Sequence, residues 1–304
     1  MRCPVVDRLT FAVALAFLVP SRAPAQENPP RAYTISASVA GLHQFESPLD
    51  EGGDAYWGRV AVSASVTRRF VPAFAAGVSV RHASETWHMD LPTAFDNSPP
   101  WRDLRRNAVG LNLELALSRT LRVGVSPSLE WASDAGADPD ESLLYGAVVN
   151  VAKVFTPNLT LGGGVSVSRQ FYSVKASPFA IVNWKLTDRW RVANAPSAGP
   201  LGGSGIELRW TLSPDWELAG GGVIRSERFR LARDGSFPGQ VGETSGMPVF
   251  ARLSRKLGPL FRFDLHAGGV AMDRLRVKDS DGRELGSTQY PFATAIASTL
   301  SFRR

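Results

Sequence analysis

Beyond residue 25 the sequence has no apolar run approaching the roughly 18 residues that a membrane helix needs, so any membrane crossing must be made by strands. Amphipathic helices are missing too: from Tyr33 onward, period-two alternation dominates. Cysteine is nearly absent. The only one is Cys3, inside a stretch that reads as a secretory signal, so the mature chain is expected to carry no disulfide and no thiolate chemistry. Cys3 precedes the apolar run, whereas a lipoprotein cysteine would follow it. No basic block accompanies the pI of about 9.8: arginines alternate with apolar residues or pair with Glu and Asp. Clustering is what gives charge a nucleic-acid footprint, so nucleic acid is not expected as a partner.

The first 25 residues have a basic start (Arg2, Arg8), an apolar core from Leu9 to Val19, and an A-x-A site at Ala23-Pro24-Ala25. Cleavage before Gln26 would lower the formal net charge from +6 to +4, because three arginines and one aspartate leave. Residues 26–31 then form a short polar periplasmic leader, and residues 32–304 one domain.

A turn device recurs through that domain. At Leu212–Trp216 an apolar residue closes a strand, Ser213-Pro214-Asp215 turns the chain, and an aromatic opens the next strand. Copies stand at Leu117–Leu121, Phe155–Leu159, Leu186–Trp190 and Leu257–Phe261, with a looser one at Val66–Phe70. Ser, Thr, Asp, Asn and Pro suit such places because their side chains bond the local backbone or preset φ. Between the turns, alternation is strict. Val109, Leu111, Leu113, Leu115 and Leu117 share one face of a strand, opposite Gly110, Asn112, Glu114, Ala116 and Ser118. Strands are predicted near 32–43, 56–67, 73–87, 105–117, 121–131, 142–155, 159–171, 176–186, 190–195, 205–212, 216–231, 247–257, 260–277 and 288–302. The longer connections fall at 44–55, 89–104, 132–141, 232–246 and 278–287. Short turns at one end and long polar loops at the other describe an all-β, antiparallel, up-and-down transmembrane barrel of about 14 strands, with about 12 to 16 compatible. The weak stretch is 190–205, rich in Gly and Pro, where strands nine and ten should be short or kinked. Trp184, Trp190, Trp210 and Trp216 flank two short turns, as an interfacial girdle would, while Trp57, Trp87, Trp101 and Trp131 lie toward the opposite strand ends.

From about Tyr145 to Phe302 the sequence resembles a family of uncharacterised outer-membrane β-barrel proteins, known only as a domain of unknown function. The likeness lies in WTLSPDWELAGGG, in Arg228-Phe229-Arg230-Leu231 before a Gly- and Pro-containing loop, and in RVKDSDGRELGSTQYPF. It implies the barrel fold and an outer-membrane location, reached through the signal and the barrel assembly machinery, with lipid around the barrel. It implies no activity and no functional residues. Such barrels commonly finish on an aromatic residue, whereas here Phe302 is followed by Arg303-Arg304.

Chemistry-bearing motifs are sparse. His82 and His88 lie near Glu85 and Asp90, but no ligand spacing on one strand face is complete, so they read as polar strand-end residues and no metal is expected. His266 alternates with Asp264 and Arg262, and Ser254 on the preceding strand is a conceivable nucleophile. Without a nucleophile motif, a hydrogen-bond network in the lumen is the better reading. The Gly162–Gly164 and Gly220–Gly222 runs lie within strands, so they ease curvature rather than cradle phosphate. By parity the inward charges are Arg59, Arg81, Arg122, Lys185, Arg209, Arg225, Arg252 and Arg262 against Glu114, Glu130, Glu207, Glu217, Glu227 and Asp264. Glu207, Arg209, Glu217, Arg252, Arg262, Asp264 and His266 come from four consecutive strands and are the lumen-lining candidates. The resulting expectation is a passive, porin-like channel for small polar solutes, with no cofactor and no enzymatic activity. The alternatives are a lipid-modifying barrel enzyme and a structural or adhesion barrel with binding loops.

Overall fold

The computed structural model describes residues 33–195 and 203–304. The expected signal at 1–25 and leader at 26–31, and the Pro- and Gly-rich centre of 190–205, lie outside the described residues. The described residues form fourteen strands. They are β1 Tyr33–Pro48, β2 Asp54–Val71, β3 Phe74–Asp90, β4 Asp103–Ala116, β5 Leu121–Asp134, β6 Leu143–Thr156 and β7 Leu159–Gln170. The remainder are β8 Ser173–Lys185, β9 Trp190–Asn194, β10 Ser204–Thr211, β11 Trp216–Arg230, β12 Val241–Leu257, β13 Phe261–Lys278 and β14 Glu284–Arg303. Each pairs antiparallel with its chain neighbours, and β1 pairs with β14 from Ser36↔Arg303 to Gln44↔Ala295, so the sheet closes into a barrel.

Five of the short turns form where the sequence places them, and for the reason it implies; the looser copy at Val66–Phe70 instead lies inside β2, and that hairpin turns at 72–73. Ser118 Oγ accepts hydrogen bonds from the backbone N–H groups of Thr120 (3.1 Å) and Leu121 (3.0 Å). Thr187 Oγ1 does the same for Arg189 (3.2 Å) and Trp190 (3.0 Å), and Ser213 Oγ accepts from Trp216 N–H at 3.2 Å. Each hydroxyl satisfies donors that a tight reversal would leave unpaired.

At the long-loop end the strands outrun their predicted ends. β1 continues to Pro48, β2 starts at Asp54 and β12 at Val241, so the β1–β2 and β13–β14 connections shrink to 49–53 and 279–283. The wall is therefore uneven. β11 to β14 and β1 to β3 have 15 to 20 residues each, β9 has 5 and β10 has 8.

The two faces differ as the alternation requires. Leu111, Leu113, Leu115, Val149, Val151, Leu208, Leu253, Leu265, Ile296 and Leu300 are all exposed on the outer face. Buried on the inner face are Ser38, Ser63, Arg59, Glu85, Glu207, Arg252 and Asp264. A soluble domain does the opposite; an apolar exterior around a polar interior is the arrangement of a barrel solvated by lipid.

Candidate functional site

The interior is built in layers. At the short-turn end the register of β10–β13 sets Ala219 beside Arg252, Glu217 beside Ser254, Ser254 beside Asp264 and Arg252 beside His266. Six of the seven lumen-lining candidates meet there in one network. Arg252, wholly buried, donates through Nη2 to Glu207 Oε1 (2.6 Å) and Glu217 Oε1 (3.1 Å), and through Nη1 to Asp264 Oδ1 (3.0 Å). Arg209 Nε donates to Glu207 Oε1 at 2.5 Å, and Arg262 bonds both Asp264 (2.9 Å) and Glu217 (2.8 Å). Three cations thus share three carboxylates, the condition under which buried charge is tolerated. The centre of the network is sealed. Its rim is not: the side chains of Arg209, Glu217 and Arg262 are 22%, 23% and 33% exposed.

His266, the seventh candidate, sits beside this network with its ring edge-on to Phe250 at 5.6 Å. Ser254 Oγ bonds Asp264 and Arg252, and accepts from Arg262 Nη2 at 2.8 Å. Among the described residues no hydrogen bond joins Ser254 to His266, and the serine is held as part of the ion network. His82 and His88 project from the outer face of β3, against Asn107 and the Tyr56 ring, while Glu85 points inward. No group of three or more metal-ligating side chains occurs among the described residues.

A second ionic layer crosses the middle of the barrel, and single-strand parity gave only part of it. Glu227 on β11 reaches Arg59 on β2 (3.2 Å) and Arg106 on β4 (3.6 Å). Arg59 also pairs with Glu85 (3.0 Å) and Arg106 with Glu130 (2.8 Å). Arg225 stacks over the Trp57 ring at 4.7 Å, and its Nη2 lies 3.7 Å from Asp273 Oδ2, which accepts from Tyr290 Oη at 2.8 Å. Sequence reasoning missed Asp273 because Met272, at φ 52°, is an inserted residue. β13 pairs Ala271 with Met247 but Arg274 with Ser245, and the shift turns odd-numbered residues inward.

Above that layer lies an apolar plug. Trp57 and Trp87 stack at 5.0 Å, Trp101 meets Trp87 at 5.9 Å and Phe229 at 5.0 Å, and Phe95 meets Phe237 at 6.1 Å. Three of the tryptophans assigned to the far strand ends therefore point into the barrel. Trp57 and Trp87 occupy inward parity positions, and Trp101 is carried in by the β3–β4 loop. By contrast Trp184, Trp190 and Trp216 are exposed around the short turns.

Plug and ion layers fill the side made by β10–β14 and β1–β4, with Glu130 of β5 at their edge. On the opposite side, β5–β8 turn Ser128, Asn150, Ser166, Ser168 and Ser177 inward and half buried, among the larger Val148 and Phe179, whose ring lies against Gly164, and the buried Leu144 and Ile181. Gly162 and Gly164 add no bulk there, and a Cβ at either would run into the backbone of β6.

These features define a closed antiparallel barrel with an apolar exterior, a charged and partly packed interior, and one water-accessible wall. No protein-family model matches the sequence, and no curated protein matches it; the motifs resembling an uncharacterised barrel family stand on their own. Solved barrels do match. An outer-membrane channel from Pseudomonas putida F1 is similar at 7% identity, over 91% of this chain and 100% of that one, with a TM-score of 0.49. The P. putida toluene transporter TodX is similar at 9% identity over 90% of each chain, with a TM-score of 0.46. The NanC porin is similar at 12% identity over 88% of this chain and 98% of that one, with a TM-score of 0.40.

Proposed function

We propose that this chain is an outer-membrane barrel that passes small polar solutes passively, along the inner surface of β5–β8, and that it catalyses no reaction. The observation that carries this reading is the coincidence of an apolar exterior with half-buried Ser128, Asn150, Ser166, Ser168 and Ser177 on the inner face of β5–β8. Small hydroxyl and amide side chains hydrate a path without obstructing it. The accessible rim residues Arg209, Glu217 and Arg262 then stand beside the short-turn end of the path. Near-equal numbers of opposite charges give little net field, so ion selectivity is weak. Ser254, held by Asp264 and two arginines, supports a structural role over that of a nucleophile.

The barrel is oriented with short turns in the periplasm and long loops outside. A protease site inserted at 234–236 is cut on intact cells, and one at 213–215 is not; the reverse would invert the orientation. The deciding experiment is conductance of the refolded protein in a planar bilayer. Small, steady, weakly selective currents are expected. A folded and inserted barrel that carries no current would overturn the channel reading.

A further inference from the structure

Among the described residues, the upper part of the wall beside β8 is not closed by backbone pairing, although the barrel closes below it. β8 pairs with β7 from Gln170↔Ser173 to Leu159↔Trp184, but with β9 only at Asn183, Trp184 and Lys185. Asn194 ends that ladder: its side chain accepts from Val182 N–H (2.9 Å) and donates to the Ala180 carbonyl (2.8 Å). Even-numbered residues of β8 therefore aim their backbone groups at this side. Pro178 is the next of them and has no N–H to leave unpaired, which is how sheets tolerate an open edge. Upper β8, above Val182, has no backbone partner on this side among the described residues.

Upper β11 keeps its pairing with β12 to Arg230↔Val241 but has no β10 partner among the described residues. Its pairing with β10 ends at Ser204↔Ile224, and Arg230 bridges Ser133 on β5. The outward side chains of upper β11 thus face the inner side of β8, and side chains close the seam. Lys175 Nζ donates to Ser226 Oγ (2.7 Å), Arg228 Nη1 donates to Ser173 Oγ (2.7 Å), and Arg228 lies over the Tyr172 ring at 5.0 Å.

The seam is basic. Glu243 on β12 accepts from Arg228 (2.7 Å), Arg276 (2.9 Å) and Lys278 (3.2 Å), and Glu284 lies 3.7 Å from Arg276. With Lys175, four cations face two carboxylates, and Tyr172 Oη is buried with no hydrogen-bond partner among the described residues. Just below, the outer face turns apolar: Ile224, four residues before Arg228, is 72% exposed, and Met272 on β13 is 62% exposed. The cations stand at the upper edge of the apolar band, where anionic headgroups lie.

We infer that the β8–β11 seam binds the phosphate of an outer-leaflet amphiphile, admitted from the side of the barrel with its tail along the apolar band. The inference rests on the membrane placement proposed above, not on conduction. The test is native mass spectrometry of the refolded barrel in maltoside micelles, with dioleoyl phosphatidic acid, the matching phosphate-free diacylglycerol, and inorganic phosphate as competitor. One phosphatidic acid per barrel is expected, retained roughly tenfold or more over diacylglycerol. Lys175→Gln with Lys278→Gln should lose about tenfold in retention with an unchanged heat-modifiable band on gels. Should that pair misfold, Lys175→Gln alone removes a side chain bonded only to Ser226 and must still weaken retention. Equal retention of the two lipids, or wild-type retention by a folded variant, would overturn the inference. Displacement by inorganic phosphate at equal concentration would make this a free-anion site and reject the amphiphile. Bilayer current recorded on the same sample separates this outcome from failure of the channel reading.

Discussion

The two sides of this barrel are made from the same alternating strands but put to different uses. On β11–β14 and β1–β4, strands mostly 15 to 20 residues long, inward Arg, Glu, Trp and Phe meet over buried Ala and Ser, and the interior is packed. On β5–β8, strands of 12 to 14 residues, Ser128, Asn150, Ser166, Ser168 and Ser177 stay half exposed among Val148 and Phe179. Rigidity comes from the first side and access from the second. The difference teaches that a barrel need not be uniformly open or plugged; side-chain volume along each strand sets it locally.

The largest effect should come from the packed side. Arg252→Ala would leave Arg209 and Arg262 to compensate Glu207, Glu217 and Asp264 around an emptied buried site, at a cost of about 3–5 kcal/mol. Urea unfolding in micelles should show it, and a loss under 1 kcal/mol would mean that the network is solvated. Trp101→Ala should cost a similar 3–5 kcal/mol by opening a cavity in the plug, whereas Ser166→Ala on the open side should cost little. Equal losses at both would erase the contrast between the sides. Next, Leu113→Arg faces lipid and should cost about 2–4 kcal/mol in assembly. Asn112→Arg, one residue away on the inner face, should fold nearly normally, and equal damage would mean that neither face meets lipid. The smallest effect is electrical. Arg262→Gln leaves Glu217 and Asp264 less compensated at the accessible rim. The reversal potential should move toward cations, and the shift should shrink as screening shortens from about 10 Å at 0.1 M salt to about 3 Å at 1 M.

How far the sequence reveals this depends on the range of the cause. Turns are local, so Ser118, Thr187 and Ser213 announce them, and the strand count and closure follow from the alternation between turns. Parity is also local, and it sets Glu207, Arg252 and Asp264 on one face of their strands. Their distances required the register of β10–β13. The contact of Glu227 with Arg59 joins residues 168 apart in sequence and has no local signature. Asp273 was hidden by the inserted Met272, and Glu85 by its histidine neighbours, which face the other way. Trp57 and Trp87 obeyed parity, but aromatic residues near strand ends also suit a girdle, and only their inward neighbours decide between the two. The seam at β8 had one sign in the sequence, Pro178, whose meaning depends on which side its missing N–H faces.

The central claim, that solutes pass along β5–β8 and not through the packed side, is tested most directly by thiol accessibility under current. The expected mature chain contains no cysteine, so Ser166→Cys and Ser63→Cys each introduce one. A charged methanethiosulfonate reagent added during bilayer recording should reduce the current through Ser166→Cys and leave Ser63→Cys unchanged, since Ser63 is buried against Ser38. Block at Ser63→Cys with none at Ser166→Cys would contradict the account.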